Sequence, residues 1–157
     1  ALEAFRGTVV LDGAAFAQVR AAMETPQPRV ALGQALRGVA TSAIDLSDGL
    51  LGDLGHILKR SGVGARVAFD RLPRSAVLAA QPAEIQLRCL LTGGDDYELL
   101  FTAPAGARRA VREAAASAGV AVTPIGTMVT EPGLQVLDAE GRVLDLADRR
   151  AFDHFRA

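Results

Sequence analysis

Tryptophan is missing from the 157 residues, and tyrosine and cysteine occur once each. Aromatic residues make up 4% of the chain and hydrophobic residues 50%, so any core must be assembled from Leu, Val, Ile and Ala more than from rings. That apolar share also excludes a disordered chain. The single cysteine, Cys89, excludes an internal disulfide and fits a reducing compartment; in its apolar stretch it reads as a small buried residue, not a nucleophile. Neither sign of charge dominates, since 17 basic and 18 acidic residues leave a net charge of −1. No global field therefore draws the chain to nucleic acid or to an anionic membrane, and a phosphate ligand has to be held locally. No apolar run approaches the ~20 residues of a spanning helix, and the first residues carry no signal-peptide pattern, so the cytoplasm is the expected location. The sequence has no Gly-x-x-x-x-Gly-Lys-Ser/Thr loop, which excludes the P-loop way of holding a nucleotide. It has no internal repeat and no low-complexity segment.

What is present fits one ordinary domain with its own core. Residues 1–25 read as an interdomain remnant and a first helix, and residues 26–157 as the domain proper. The first helix covers 14–24, where Phe16, Val19 and Met23 recur at helical spacing and Thr25-Pro26-Gln27-Pro28 stops it. A short helix over 30–37 leads into a strand over 39–45. Leu50, Leu51, Leu54, Ile57 and Leu58 then share one helix face, with Lys59 and Arg60 in the last turn and Gly62 and Gly64 beyond it. A strand over 65–69 completes a β-α-β unit, which is expected to be parallel. There follow a helical region over 72–91 broken near Pro82, a strand over 97–102 and an alanine-rich helix over 107–118. A strand over 121–125 and a hairpin pairing 134–137 with 142–146 end the series. The order predicts an α/β fold with α+β character, a mixed β-sheet flanked by helices.

Two loops carry the chemistry. Ile44-Asp45-Leu46-Ser47-Asp48-Gly49-Leu50 places two carboxylates and a hydroxyl where a strand runs into a helix. Asp45 and Ser47 are two apart and share one side of an extended chain, while Asp48 stands beside the N–H groups that open the helix. Carboxylates there suit a hard cation such as Mg²⁺, and exposed amides suit phosphate. Helix capping by Ser47 or Asp48 is the plainer reading, but it leaves Asp45 without a purpose. The second loop, Gly93-Gly94-Asp95-Asp96-Tyr97-Glu98-Leu99, sets adjacent acids in front of a strand, in a pattern that is also common turn chemistry. His56, three residues after Asp53, is expected to make a surface hydrogen bond with it, and His154 has no evident partner. Ser61-Gly62-Val63-Gly64-Ala65 follows a helix, so it reads as a C-cap and not as a phosphate loop.

Taken in order, these two loops, with Asp53-Leu54-Gly55-His56-Ile57, Ser61-Gly62-Val63-Gly64-Ala65 and the closing Phe152-Asp153-His154-Phe155, resemble thiamine-monophosphate kinase. That family belongs to the aminoimidazole ribonucleotide synthetase superfamily, and the resemblance runs from about Pro26 to the C-terminus. It implies the C-terminal domain of a kinase that converts thiamine phosphate and ATP to thiamine diphosphate and ADP with Mg²⁺. The family's N-terminal ATP-binding domain is not in this sequence, and the whole protein is expected to be a homodimer. By the same resemblance Asp45 and Asp48 hold Mg²⁺ at the nucleotide phosphates and Ser47 contacts ATP. Asp96 contacts thiamine phosphate with Asp95 beside it, and Phe152 packs on the thiamine, where a ring face suits a cationic thiazolium. Ala151 stands where the family usually has Gly. No general base is needed, because the acceptor phosphate is already ionised. Two other readings stand beside this one. Another ATP-dependent enzyme of the superfamily, of the selenophosphate or purine-pathway synthetase type, is disfavoured by the Gly93–Tyr97 sequence and by the want of an exposed catalytic cysteine. A non-catalytic binding or assembly module is a third, and the parent reading frame discriminates: an upstream ATP-binding domain there would exclude it, whereas a true module would start near Ala1.

Overall fold

In the computed structural model of the chain, which describes residues 1–146, the elements run α1 (Leu2–Phe5), α2 (Gly13–Glu24), α3 (Val30–Ala35), β1 (Ser42–Asp45), α4 (Leu50–Ser61) and β2 (Gly64–Ala68). They continue with α5 (Ala76–Ala79), α6 (Ala83–Leu91), β3 (Leu99–Thr102), α7 (Arg108–Ala118), β4 (Gly126–Val129) and β5 (Gly133–Leu137). No helix among the described residues is long and apolar enough to cross a membrane.

Local chemistry sets most of these boundaries. The Asp12 carboxylate accepts from the Ala15 N–H at 2.8 Å and starts α2, and the Ser75 hydroxyl does the same for α5 with Leu78. Pro82 opens α6, where its missing N–H costs nothing. Helix α4 buries Leu50, Leu54, Ile57 and Leu58, each side chain contributing roughly 1.5–3 kcal/mol relative to exposure. It ends at Gly62 in left-handed backbone, with Lys59 and Arg60 facing the negative end of its dipole. The first residues pack on the rest: Glu3 pairs with Arg88, and the Phe5 and Phe16 rings meet edge to face at 5.2 Å.

The sheets are mixed and flanked by helices, as expected, but the strands pair differently. β1 runs antiparallel to β3, with Ser42 opposite Thr102 and Asp45 opposite Leu99. β2 lies in a second sheet, between antiparallel β4 and parallel β5. The parallel β1–β2 unit is therefore not formed. Pairing with β3 prevails because it continues beyond both strand ends, from the Thr41 N–H on Thr102 O to the Leu46 N–H on Glu98 O. Strand β4 begins at Gly126, later than expected, since Pro124 offers no N–H to a ladder. Its alignment brings Gly126 so close to Arg66 that a Cβ would lie 2.3 Å from the carbonyl oxygen. The final hairpin turns where expected, held by the Asp138 carboxylate on the Glu140 and Arg142 N–H groups, but its return strand is reduced to one bridge, Leu137 to Val143.

The β1–β3 ribbon separates two cores. Leu100 and its cross-strand neighbour Ile44 face the larger one, with α4, Leu91 of α6, Val67 and Val136. Leu99 and Phe101, the alternate residues of β3, face a smaller one made by Leu32 and Leu36 with Ala114 of α7. Leu91 is fully buried just before the second acidic loop. Leu91→Ala is expected to lower stability by about 3 kcal/mol through lost contacts and a cavity, read as a fall in Tm. An unchanged Tm would show that the α6 end does not anchor that loop.

Candidate active site

Where β1 and β3 end, their hydrogen bonding goes on. The Leu46 N–H donates to Glu98 O at 2.9 Å, the Tyr97 N–H to Leu46 O at 2.8 Å and the Asp95 N–H to Ser47 O at 3.0 Å. The two acidic loops are thus fastened to each other by backbone. Glycine is required for the approach: a Cβ on Gly94 would stand 2.3 Å from Ser47 O, and one on Gly49, at φ +100°, would stand 2.9 Å from the Thr92 carbonyl carbon.

On this frame Asp45 is exposed, while Ser47 and Asp48 are half-buried. Neither Ser47 nor Asp48 caps α4. Gly49 holds the cap position and no side chain bonds the helix end there. Within the loop, ahead of the amides that open the helix, Asp53 Oδ2 accepts from the Ser47 N–H at 3.0 Å and from the Asp48 N–H at 3.1 Å. Asp53 is 2% exposed, the one charged side chain among the described residues in the buried class. The expected Asp53–His56 bond is replaced by these two, and His56 is exposed on a different depression of about 460 Å³, with Ser42, Ile44, Lys59 and Arg60. Sequence reasoning treated Asp53 only as a partner for His56; its place in the first turn of α4, facing back to the preceding loop, was the available signal.

In the second loop Asp95 and Tyr97 both take left-handed backbone, at φ 63° and 50°. For a bulky tyrosine that conformation is rare, and the backbone bonds to Ser47 and Leu46 hold it. The Tyr97 hydroxyl donates to Asp95 Oδ1 at 3.1 Å, and this bond raises the phenol above its ordinary value, with the charges of Asp95, Asp45 and Asp48 adding to it. Tyr97 thus feels carboxylates of both loops. Its ring, with Pro26 and Pro28, lines a shallow apolar depression of about 250 Å³. Glu98 is held by Arg29 through two bonds of 2.6 and 2.8 Å, which raise the guanidinium further. Burial of the Asp96 carboxyl, then repulsion from Glu98 and Asp95, pushes it up to about 6. The residue as a whole is exposed, so water screens part of that repulsion. Burial likewise pushes the Cys89 thiol up, which fits an inert residue.

Among the described residues no three His, Cys, Asp or Glu side chains converge as a ready metal cage. Asp45 and Asp48 instead offer the one or two carboxylates that suffice for Mg²⁺ when phosphates and water complete its shell. Phe152, Ala151 and His154 lie outside the described residues.

Gly94→Ala is expected to force the loops apart at a cost of about 1–3 kcal/mol, seen as a lower Tm and as loss of the Asp95 amide's protection from hydrogen exchange. Unchanged protection would mean the contact yields without cost. A second expectation concerns pH. Asp96 keeps its proton to higher pH in the folded chain, so between 3.8 and about 6 the folded state binds more protons than the unfolded one. Stability should fall as pH rises through that window, and Asp96→Asn should flatten the slope. Equal slopes in both proteins would show that Asp96 titrates normally.

Comparison with known proteins bears on the family and the fold. The family model described as AIR synthase related protein, C-terminal domain, matches residues 6–139. Thiamine-monophosphate kinase of Salmonella typhimurium is 47% identical over 132 residues, which are 83% of this chain and 40% of that protein. The crystal structure of thiamine-monophosphate kinase from Stenotrophomonas maltophilia K279a is 41% identical with a TM-score of 0.76, covering 87% of this chain and 42% of that one. The solved AaThiL, complexed with AMPPCP and TMP, shares the fold at 24% identity and a TM-score of 0.75, over 98% of this chain and 46% of its own. The chain spans less than half the length of each of these relatives. It belongs to the AIR synthase related protein, C-terminal domain, family.

Proposed function

We propose that the chain is the C-terminal domain of a thiamine-monophosphate kinase, which transfers a phosphoryl group from ATP to thiamine phosphate. The observation that carries this reading is the backbone fastening of the Asp45–Asp48 loop to the Asp95–Glu98 loop, in a chain 47% identical to a kinase of that name. Phosphoryl transfer between two phosphate compounds gathers negative charge, and catalysis is mostly alignment and charge neutralisation. Mg²⁺, when bound, supplies the neutralising charge on the nucleotide phosphates. Asp45 and Asp48 are the residues assigned to hold it, one exposed and one half-buried at the end of β1. Ser47 lies between them and is assigned to ATP. Asp96, with Asp95 beside it, faces the acceptor side; a carboxyl pushed up to about 6 gives up part of its repulsion toward a phosphate. Phe152 is assigned to the thiamine ring on resemblance alone. The parent protein is read as a cytoplasmic homodimer whose ATP-binding domain completes the site.

The test uses the full-length parent. Asp45→Asn and Asp48→Asn keep shape and remove charge, so kcat should fall by roughly a hundredfold or more while Tm changes little. The 157-residue chain alone, spanning 40% of its relative, should show no turnover with ATP, Mg²⁺ and thiamine phosphate. Near-normal rates for both variants at limiting Mg²⁺ would overturn the metal assignment, and turnover by the chain alone would overturn the need for a second domain.

A further inference from the structure

A charged side chain almost never stays fully buried without partners, because losing water costs several kcal/mol. Asp53 is 2% exposed, and its neighbours in the first turn of α4 are leucines and glycine. Its Oδ2 collects the N–H groups of Ser47 and Asp48 at 3.0 and 3.1 Å, two successive donors converging on one anionic oxygen. Convergent backbone amides ahead of a helix are the seat that elsewhere receives a phosphate oxygen. Here the chain fills that seat itself.

We propose that Asp53 is the positioning residue of the acidic loop: its carboxylate occupies the anion seat, orders Ser47 and Asp48 before any ligand arrives, and turns phosphate away from these two amides. The inference rests on the kinase reading for its meaning in catalysis, but not for its structural content. Two consequences follow from the geometry. The Asp48 side chain leaves a backbone whose N–H is already fixed, so the carboxylate is placed without the loop first having to be ordered. Asp45 and Asp48 would hold a cation at this loop, and it would supply the charge that nucleotide phosphates, denied the Ser47 and Asp48 amides, need there. A buried carboxylate thus stands directly behind the loop that carries Asp45 and Asp48. The arrangement parallels the outer-shell carboxylates that orient metal ligands. Asp53 touches neither substrate nor cation, and acts only through Ser47 and Asp48.

Two substitutions separate the hydrogen bonds from the charge. Asp53→Asn places an amide oxygen where Oδ2 stands and keeps an acceptor for both N–H groups, whereas Asp53→Ala removes it. In the 157-residue chain, hydrogen exchange of the Ser47 and Asp48 amides should be slow in the native protein. It should stay within about threefold of that in Asp53→Asn and rise at least tenfold in Asp53→Ala. Inorganic phosphate titrated by NMR should leave these two amide resonances unmoved in the native chain and shift them in Asp53→Ala, where the seat is open. In the full-length protein, Asp53→Ala should raise the Mg²⁺ concentration for half-maximal rate by roughly tenfold or more, the order seen for lost outer-shell partners, with KM for thiamine phosphate preserved and Asp53→Asn largely restored. If Asp53→Ala does not fold, the Asn variant still decides: fast exchange of both amides in a folded Asn protein overturns the hydrogen-bond role. Phosphate shifts in the native chain overturn the blocked seat. Loss of amide protection in Asp53→Ala with an unchanged Mg²⁺ requirement makes Asp53 a structural residue only and overturns the positioning role. The exchange and phosphate measurements involve no nucleotide and no turnover, so failure of the kinase reading leaves them standing.

Discussion

Everything at this site depends on a ladder of backbone hydrogen bonds that does not stop where the strands stop. Leu46 and Ser47 are bonded to Asp95, Tyr97 and Glu98 past the ends of β1 and β3, so the acidic loops are extensions of one antiparallel pair. The left-handed backbone at Asp95 and Tyr97 follows from it. Their N–H groups reach the neighbouring carbonyls of Ser47 and Leu46, and the chain must fold tightly between them. Each such residue costs roughly 1–2 kcal/mol, and a net hydrogen bond returns about 1 kcal/mol. The loop therefore holds its shape only with support from the packing on either side.

That support is the pair of cores. Alternation along β3 sends Leu100 to the core of α4 and α6, and Leu99 and Phe101 to the core of α3 and α7. Both acidic loops leave from this doubly covered ribbon, and Leu91 and Leu50 anchor their far ends in the larger core. Arg29, just ahead of α3, grips Glu98 with two bonds and ties the second loop to the smaller core as well. Rigid elements thus set the spacing of side chains that stand in loops.

How much of this was legible follows from range. Helices were readable because their signals are local: the apolar face of α4, Pro82 ahead of α6, Gly62 after Ser61. The strand-to-helix loop with Asp45, Ser47 and Asp48 was readable too, as polar residues interrupting an apolar run. Pairing was not. Nothing near β2 says that β1 will take β3 as its partner, since that choice is made by residues far along the chain. Asp53 was misread for the same reason. In sequence it lies three residues from His56, the spacing of a helical surface pair, while its real partners are backbone groups of a loop whose path only the β1–β3 ladder defines. Phe152 rests on resemblance, lying outside the described residues.

The electrostatics give the arrangement its direction. Asp45, Asp48 and Asp95 all act on the Tyr97 hydroxyl, and Asp95 and Glu98 both act on Asp96. Arg29 neutralises Glu98, and Asp53 spends its charge on backbone N–H groups. Burial of the Asp96 carboxyl, and after it repulsion from Glu98 and Asp95, pushes that group up to about 6, and holding the proton relieves the field. Like-charge crowding, held in place by the backbone ladder between the loops, is what sets these two turns apart from ordinary ones.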